Sequence, residues 1–256
     1  MSAVAERPGV GPLLRDWRQR RRMSQMDLAL EAGVSTRHVS FVETGRSRPS
    51  AEMVLQLADH LEVPLRDRDA LLLAAGYAPA FGARDLEAPE MQPVREAIDL
   101  VLQGHEPYPA AVVDRGWNLV AGNAGIATLV EGVSAQLLEP PVNVLRVSLH
   151  PFGMAPRIAN LAEWREHLLH RLRRQVALTA DDEVARLLAE LESYPAPGDH
   201  DKPPHNDIVV PLRLKNGMSF FSTVATFGTA VDITVAELSI ESFFPADAQT
   251  AEALRG

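Results

Sequence analysis

The chain has 256 residues, 46% of them hydrophobic, no cysteine and a formal net charge of −9. That is enough apolar content for two cores, without the sulfur needed for disulfides, thiolate nucleophiles or Cys-ligated zinc and iron–sulfur sites. No stretch approaches about 18 consecutive apolar residues, and Met1 to Gly11 hold no apolar run behind their charges, which predicts a cytoplasmic protein with neither membrane span nor export signal.

The negative total hides an asymmetry. From Arg7 to Arg48 nine arginines face Asp16, Asp27, Glu31 and Glu43, a local charge of +5 that leaves −14 to the rest. Phosphate attraction acts within about one Debye length, roughly 8 Å at physiological salt, so a basic face on an acidic protein can still bind DNA. Residues 13–77 predict five short helices. Leu13, Leu14 and Trp17 give the first its apolar face, and Arg15, Arg18 and Arg20 to Arg22 its charge. Ser24 is a helix-capping residue before Met26, Leu28, Ala29 and Ala32, and Gly33 closes that helix. Ser35 caps the third, with Val39 and Val42 inward and Thr36, Arg37, Ser40 and Phe41 on other faces. Pro49-Ser50 opens a fourth helix through Met53, Val54, Leu57, Ala58 and Leu61, and Pro64 a fifth, over about 65–75, ended by Gly76.

Residues 78–93 are rich in Pro, Gly and Ala without periodicity and are expected to link two domains. A helix over 91–103 comes next, then strands at 110–113 and 117–120 around the turn Asp114-Arg115-Gly116. Amphipathic helices are predicted over 158–176 and 181–193, and a polar, proline-bearing loop over 196–207. Strands are predicted over 208–214, 218–227 and 234–244, with Lys215-Asn216-Gly217 as a hairpin turn. The second domain is thus a mixed α+β unit with about five antiparallel strands.

Helix, glycine turn, helix is the plan of a helix-turn-helix, although any three-helix scaffold shares that apolar spacing. The residues add more. Ser24-Gln25, Ala32-Gly33-Val34-Ser35 and Glu43 to Ser50 resemble the lambda-repressor-like or Xre family, over Leu13 to Leu73. The resemblance implies that Gln25 bonds a DNA phosphate, that Thr36, Arg37, Ser40 and Phe41 face base edges with His38 near the backbone, and that Thr44, Arg46 and Arg48 hold phosphates. Arg37 is the best base reader, because a guanidinium can bond guanine O6 and N7 together. Phe41 either packs on a thymine methyl or lies against the domain's own surface, and Arg46 and Arg48 have a solvated loop as their alternative.

Three segments, Tyr108 to Asn123, Asn143 to Pro151 and Phe227 to Asp247, resemble MmyB-like regulators, a family that pairs an Xre-type head with a PAS-like ligand-binding domain. The resemblance implies an elongated apolar ligand of fatty-acyl type; the linker sets domains at 8–77 and 94–250, and the affinity that one short recognition helix lacks predicts a homodimer on a palindromic operator. Trp117, Phe152, Trp164, Phe220 and Phe221 are the large side chains available to line its pocket, and core packing is the alternative for each. Arg146 and His150 are candidates to anchor a carboxylate, unless Arg146 pairs with a nearby Glu and His150 caps a helix.

No cofactor, metal site or catalysis is expected. Glu163, Glu166, His167 and His170 share a helix without an HExxH pattern, and the His/Asp-rich stretch 199–207 has the composition of a solvated loop. GxSxG, P-loop and GxGxxG motifs are absent. Two other functions compete with a ligand-controlled regulator: a constitutive DNA-binding protein whose second domain dimerises or recruits a partner, and an enzyme carrying a DNA-binding head.

Overall fold

The computed structural model describes residues 9–195, 209–228 and 230–255. These fall into two compact units. The first gathers the described residues up to Arg84 together with 177–179 and 230–234, and the second gathers the remainder.

Local hydrogen-bond chemistry sets the helices of the first unit: α1 (Val10–Arg20), α2 (Gln25–Glu31), α3 (Thr36–Glu43), α4 (Ala51–His60) and α5 (Leu65–Ala74). Ser24, Ser35 and Ser50 each stand in extended backbone and take a backbone N–H onto the hydroxyl, from Asp27, His38 and Met53. At Ser24 the exchange is reciprocal, with Asp27 accepting the Ser24 N–H at 2.7 Å, and such caps are worth about 1 kcal/mol each. Gly33 turns the chain between α2 and α3 at φ +65°, where a side chain would be strained. Leu14, Leu28, Val39, Leu57 and Leu71 meet in one core, each contributing roughly 1.5–3 kcal/mol by leaving water. Gly11 lets α1 cross α3 closely, because a Cβ there would lie 2.5 Å from the Val42 carbonyl oxygen.

The second unit is built on an antiparallel sheet in the order β2-β1-β5-β4-β3, with β1 (Ala110–Val113), β2 (Leu119–Gly122), β3 (Leu212–Arg213), β4 (Ser219–Thr226) and β5 (Ser239–Pro245). The remaining helices are α6 (Gln92–Gly104), α7 (Ile126–Val130), α8 (Val144–Leu149), α9 (Leu161–Thr179), α10 (Asp182–Ser193), α11 (Ile233–Ala236) and α12 (Ala248–Arg255), all in the second unit except 177–179 of α9 and 233–234 of α11. The all-helical head and the α+β domain with an antiparallel sheet are as the sequence predicts. β1 is apolar at every position because both its faces are covered. Ala110 and Val112 meet Ile98 and Leu102 of α6, and Val113 joins the larger core with Leu168, Leu169 and Phe220.

Several predicted elements differ in place or kind. The second strand begins at Leu119 rather than Trp117, because Trp117 sits at φ +66° in a turn closed by Asp114, which accepts from the Gly116 and Asn118 N–H groups. The strand expected over 234–244 is split into α11 and β5. Asp232 accepts the Thr234 N–H at 2.9 Å and starts a helical turn that overrides the β-branched composition. The strand expected before Lys215 is only Leu212–Arg213, since Pro211 has no N–H to give a sheet. The predicted turn is present, with Gly217 at φ +93°. α7 and α8 were not expected as helices. The predicted loop at 196–207 lies outside the described residues, and among those described no helix is long and apolar enough to cross a membrane.

Candidate functional site

In the first unit, the residues the sequence singles out lie on and around α3. Val39 and Val42 hold it to the core, which leaves Thr36 and Arg37 exposed and His38, Ser40 and Phe41 half-buried. The Arg37 guanidinium lies 5.0 Å from the Phe41 ring centre and that of Arg46 lies 5.9 Å from it. Phe41 therefore serves as a platform for two cations, an arrangement neither alternative for this ring included. The exposed Thr44 hydroxyl donates back to the Ser40 carbonyl at 2.7 Å. The Nε2 of His38 is buried and has no hydrogen-bond partner among the described residues.

Beneath this face Glu43 organises three helices. It accepts from Arg18 Nε at 2.6 Å and Nη2 at 3.0 Å, and from Gln25 Nε2 at 2.8 Å. The Glu43 bond is the main reason the Arg18 pKa is raised. Gln25 thus has one amide N–H on Glu43 and keeps a second for another acceptor. Arg48 does more than the phosphate contact or solvated loop foreseen for it. Its Nη2 donates to the Ala75 carbonyl at 3.0 Å and its guanidinium lies over Tyr77, fastening the end of α5.

The second unit contains a partly open cavity of about 270 Å³. Branched and unbranched aliphatic side chains make most of its wall, including Ile126 and Leu129 of α7, Val144 of α8 and Leu168 of α9, with Trp164 and Phe243. Among the described residues, three lining side chains carry a nitrogen or oxygen: Trp164, Ser148 and Glu241. The Trp164 indole N–H donates to Ser148 Oγ at 3.0 Å. Glu241 pairs with Arg171 at 3.2 Å.

Of the side chains proposed from the sequence to hold a ligand, Trp164 lines this cavity and Trp117, Arg146, His150, Phe152 and Phe220 do not. The reasons are physical. Trp117 gives its N–H to Gln175 at 2.8 Å, Phe220 is fully buried among core side chains, and Phe152 is 71% exposed. Phe221, also considered, stacks on Phe244 across β4 and β5. Arg146 forms a two-pronged pair with Glu190, both bonds 2.8 Å, and His150 follows the end of α8 with its Nδ1 accepting the Phe152 N–H. Both residues thus take the structural alternatives set out above. The Arg146 hydrogen bonds hold the Glu190 carboxyl below its usual range, while burial, then the bond to Glu190, pushes the Tyr194 hydroxyl up.

Ring size does not by itself pick out this wall, which is mostly aliphatic and includes only Trp164 and Phe243 among the described aromatic side chains. A usable signal lay in the apolar run Val144, Leu145 and Val147 inside a segment that carried the family resemblance.

The His/Glu helix is also accounted for. His167 stacks on Trp164, with a pKa lowered by burial and then by Arg171. Glu166 pairs with Arg173, and Glu163 accepts from Asn160. Among the described residues no cluster of three or more His, Asp or Glu is placed to hold a metal ion.

Comparison with known proteins adds two family matches. Residues 94–256 match the model described as an MmyB-like transcription regulator ligand binding domain, and residues 10–71 match a helix-turn-helix domain. No curated protein matches. Among solved structures, that of an RNA-binding light-oxygen-voltage receptor aligns at 12% identity and a TM-score of 0.25, over 99% of this chain and 63% of the other.

Proposed function

We propose, from the premise that this chain belongs to the family of transcription regulators with an MmyB-like ligand-binding domain and carries a helix-turn-helix at its N-terminus, that it is a cytoplasmic, ligand-controlled regulator. It binds double-stranded DNA through α3 and alters that binding when an apolar molecule of fatty-acyl type enters the cavity. The apolar cavity is the observation that carries the ligand reading. Sites of this kind are mostly hydrophobic with a few polar groups that fix orientation.

On DNA, Arg37 reads base edges beside Thr36, Ser40 and Phe41. Gln25, His38, Thr44 and Arg46 contact the backbone, and Arg48 positions their platform. One short helix reads few base pairs, so two copies act together on a palindromic operator. Control requires the ligand to favour one arrangement of the pair over another, with a coupling of about 1–3 kcal/mol.

The test joins native mass spectrometry of the full-length protein, with denaturing extraction of any co-purifying molecule, to anisotropy on an operator selected from random duplexes. The expected result is one apolar molecule per chain and an operator affinity that changes about fivefold or more when it is removed. A protein that holds no small molecule and binds its operator equally with and without added apolar compounds would leave the second domain to dimerisation or recruitment.

A further inference from the structure

Glu241 is the charged side chain on the cavity wall, and β5 explains how it comes to be there. Alternation along the strand sends Ile240 to the α6 face and turns Glu241 and Phe243 to the cavity. Glu241 is 6% exposed, so water does little to screen its charge. Its Oε1 accepts from Arg171. Its Oε2 takes no hydrogen bond from the described residues, yet it is not among the buried polar atoms sealed off without a partner. Arg171 is not part of the wall; it pairs with Glu241 at 3.2 Å and its guanidinium lies 4.5 Å from the Trp117 ring centre.

Charge decides what such a site accepts. An ionised carboxylate entering the cavity meets Glu241 before Arg171, and both groups would then be like charges in an apolar enclosure. A cation is little better placed, because Arg171 already balances Glu241 and a further positive charge would be buried uncompensated. A neutral hydroxyl costs least to desolvate and can give its proton to Oε2 in a charge-assisted hydrogen bond. Ser148 accepts from Trp164 and keeps its own hydroxyl proton to donate, which serves the oxygen of an alcohol as well as that of an acid, so the discrimination falls to Glu241.

We propose that the ligand keeps the apolar chain of the fatty-acyl reading but ends in a hydroxyl group in place of the acid, with the Glu241 carboxylate as the acceptor for that head group. This rests on the reading of the cavity as the regulator's ligand site. It assigns to Glu241 the discrimination between alcohols and the corresponding fatty acids.

The test is calorimetric titration of the full-length protein, freed of co-purifying lipid, with 1-decanol, decanoate and decylammonium at about pH 8, where the acid and amine are ionised. The expected result is decanol binding about tenfold or more tighter than either ion, with Glu241→Gln bringing decanoate to within about threefold of decanol. Decanoate or decylammonium binding as tightly as decanol to the unaltered protein would overturn the proposal and leave the cavity as a ligand site. Failure of all three probes to bind would remove the ligand-site reading, and the proposal with it. Should Glu241→Gln fail to fold by circular dichroism, the ranking on the unaltered protein still decides.

Discussion

Arg37 and Phe41 stand one helical turn apart on α3, and their contact at 5.0 Å holds a long, exposed side chain over a ring instead of leaving it to sample many rotamers. A cation over an aromatic face is worth about 0.5–1 kcal/mol at an exposed site, enough to bias a rotamer but not to prevent the guanidinium from turning to a base. Arg37→Ala is expected to lower affinity for a selected operator by about 5- to 150-fold, the equivalent of roughly 1–3 kcal/mol for a lost bidentate base contact. Random duplexes should be bound nearly as before. Anisotropy on both DNAs decides the point, and unchanged discrimination would remove Arg37 from the base-reading role. The buried arginine behaves differently. Arg18 is 8% exposed and anchored to Glu43, so its charge belongs to the architecture of the head, as does much of Arg48.

At the scale of elements, the head depends on the approach of α1 to α3, where Gly11 leaves no room for a side chain. A Cβ would stand 2.5 Å from the Val42 oxygen and 2.7 Å from the Glu43 oxygen, both backbone atoms that cannot swing aside. Gly11→Ala should therefore push α1 and α3 apart at a cost of about 1–3 kcal/mol. Thermal denaturation would show a lowered midpoint for the head, and an unchanged midpoint would mean that the crossing has slack. The helices of this unit were legible in the sequence because their signals are local: Ser24, Ser35 and Ser50 at the starts, and Gly33, Gly45 and Gly76 after the ends. The sheet was legible in strand number but not in every boundary. Trp117 and Thr234 carry strand-favouring side chains, and the carboxylates of Asp114 and Asp232 bend the chain there through side-chain hydrogen bonds that composition does not reveal. The cavity was the least legible feature, since an unfilled volume is a property of the packing of α7, α8, α9 and β5 together, and no single residue type announces it.

At the scale of the whole molecule, the described residues form three cores, one in the helical head and two in the sheet-bearing unit, and charge is divided unevenly along the chain. The basic stretch lies wholly within the head, and the acidic excess elsewhere disfavours indiscriminate binding to nucleic acid. The cavity gives the sheet-bearing unit one further property. Proteins lose internal void volume when they unfold, so hydrostatic pressure favours the unfolded chain in proportion to the emptiness it removes. A pocket of about 270 Å³ with an almost wholly apolar wall holds water poorly, and we expect it to make this unit the pressure-sensitive half of the molecule, with a volume change on the order of tens of mL/mol. High-pressure tryptophan fluorescence should show the environment of Trp117 and Trp164 failing at lower pressure than that of Trp17, and an apolar occupant should raise that pressure. Equal responses from both units would mean that the void closes without unfolding. Loosely packed space makes a unit compressible, and an occupant that filled it would work first by making it stiff.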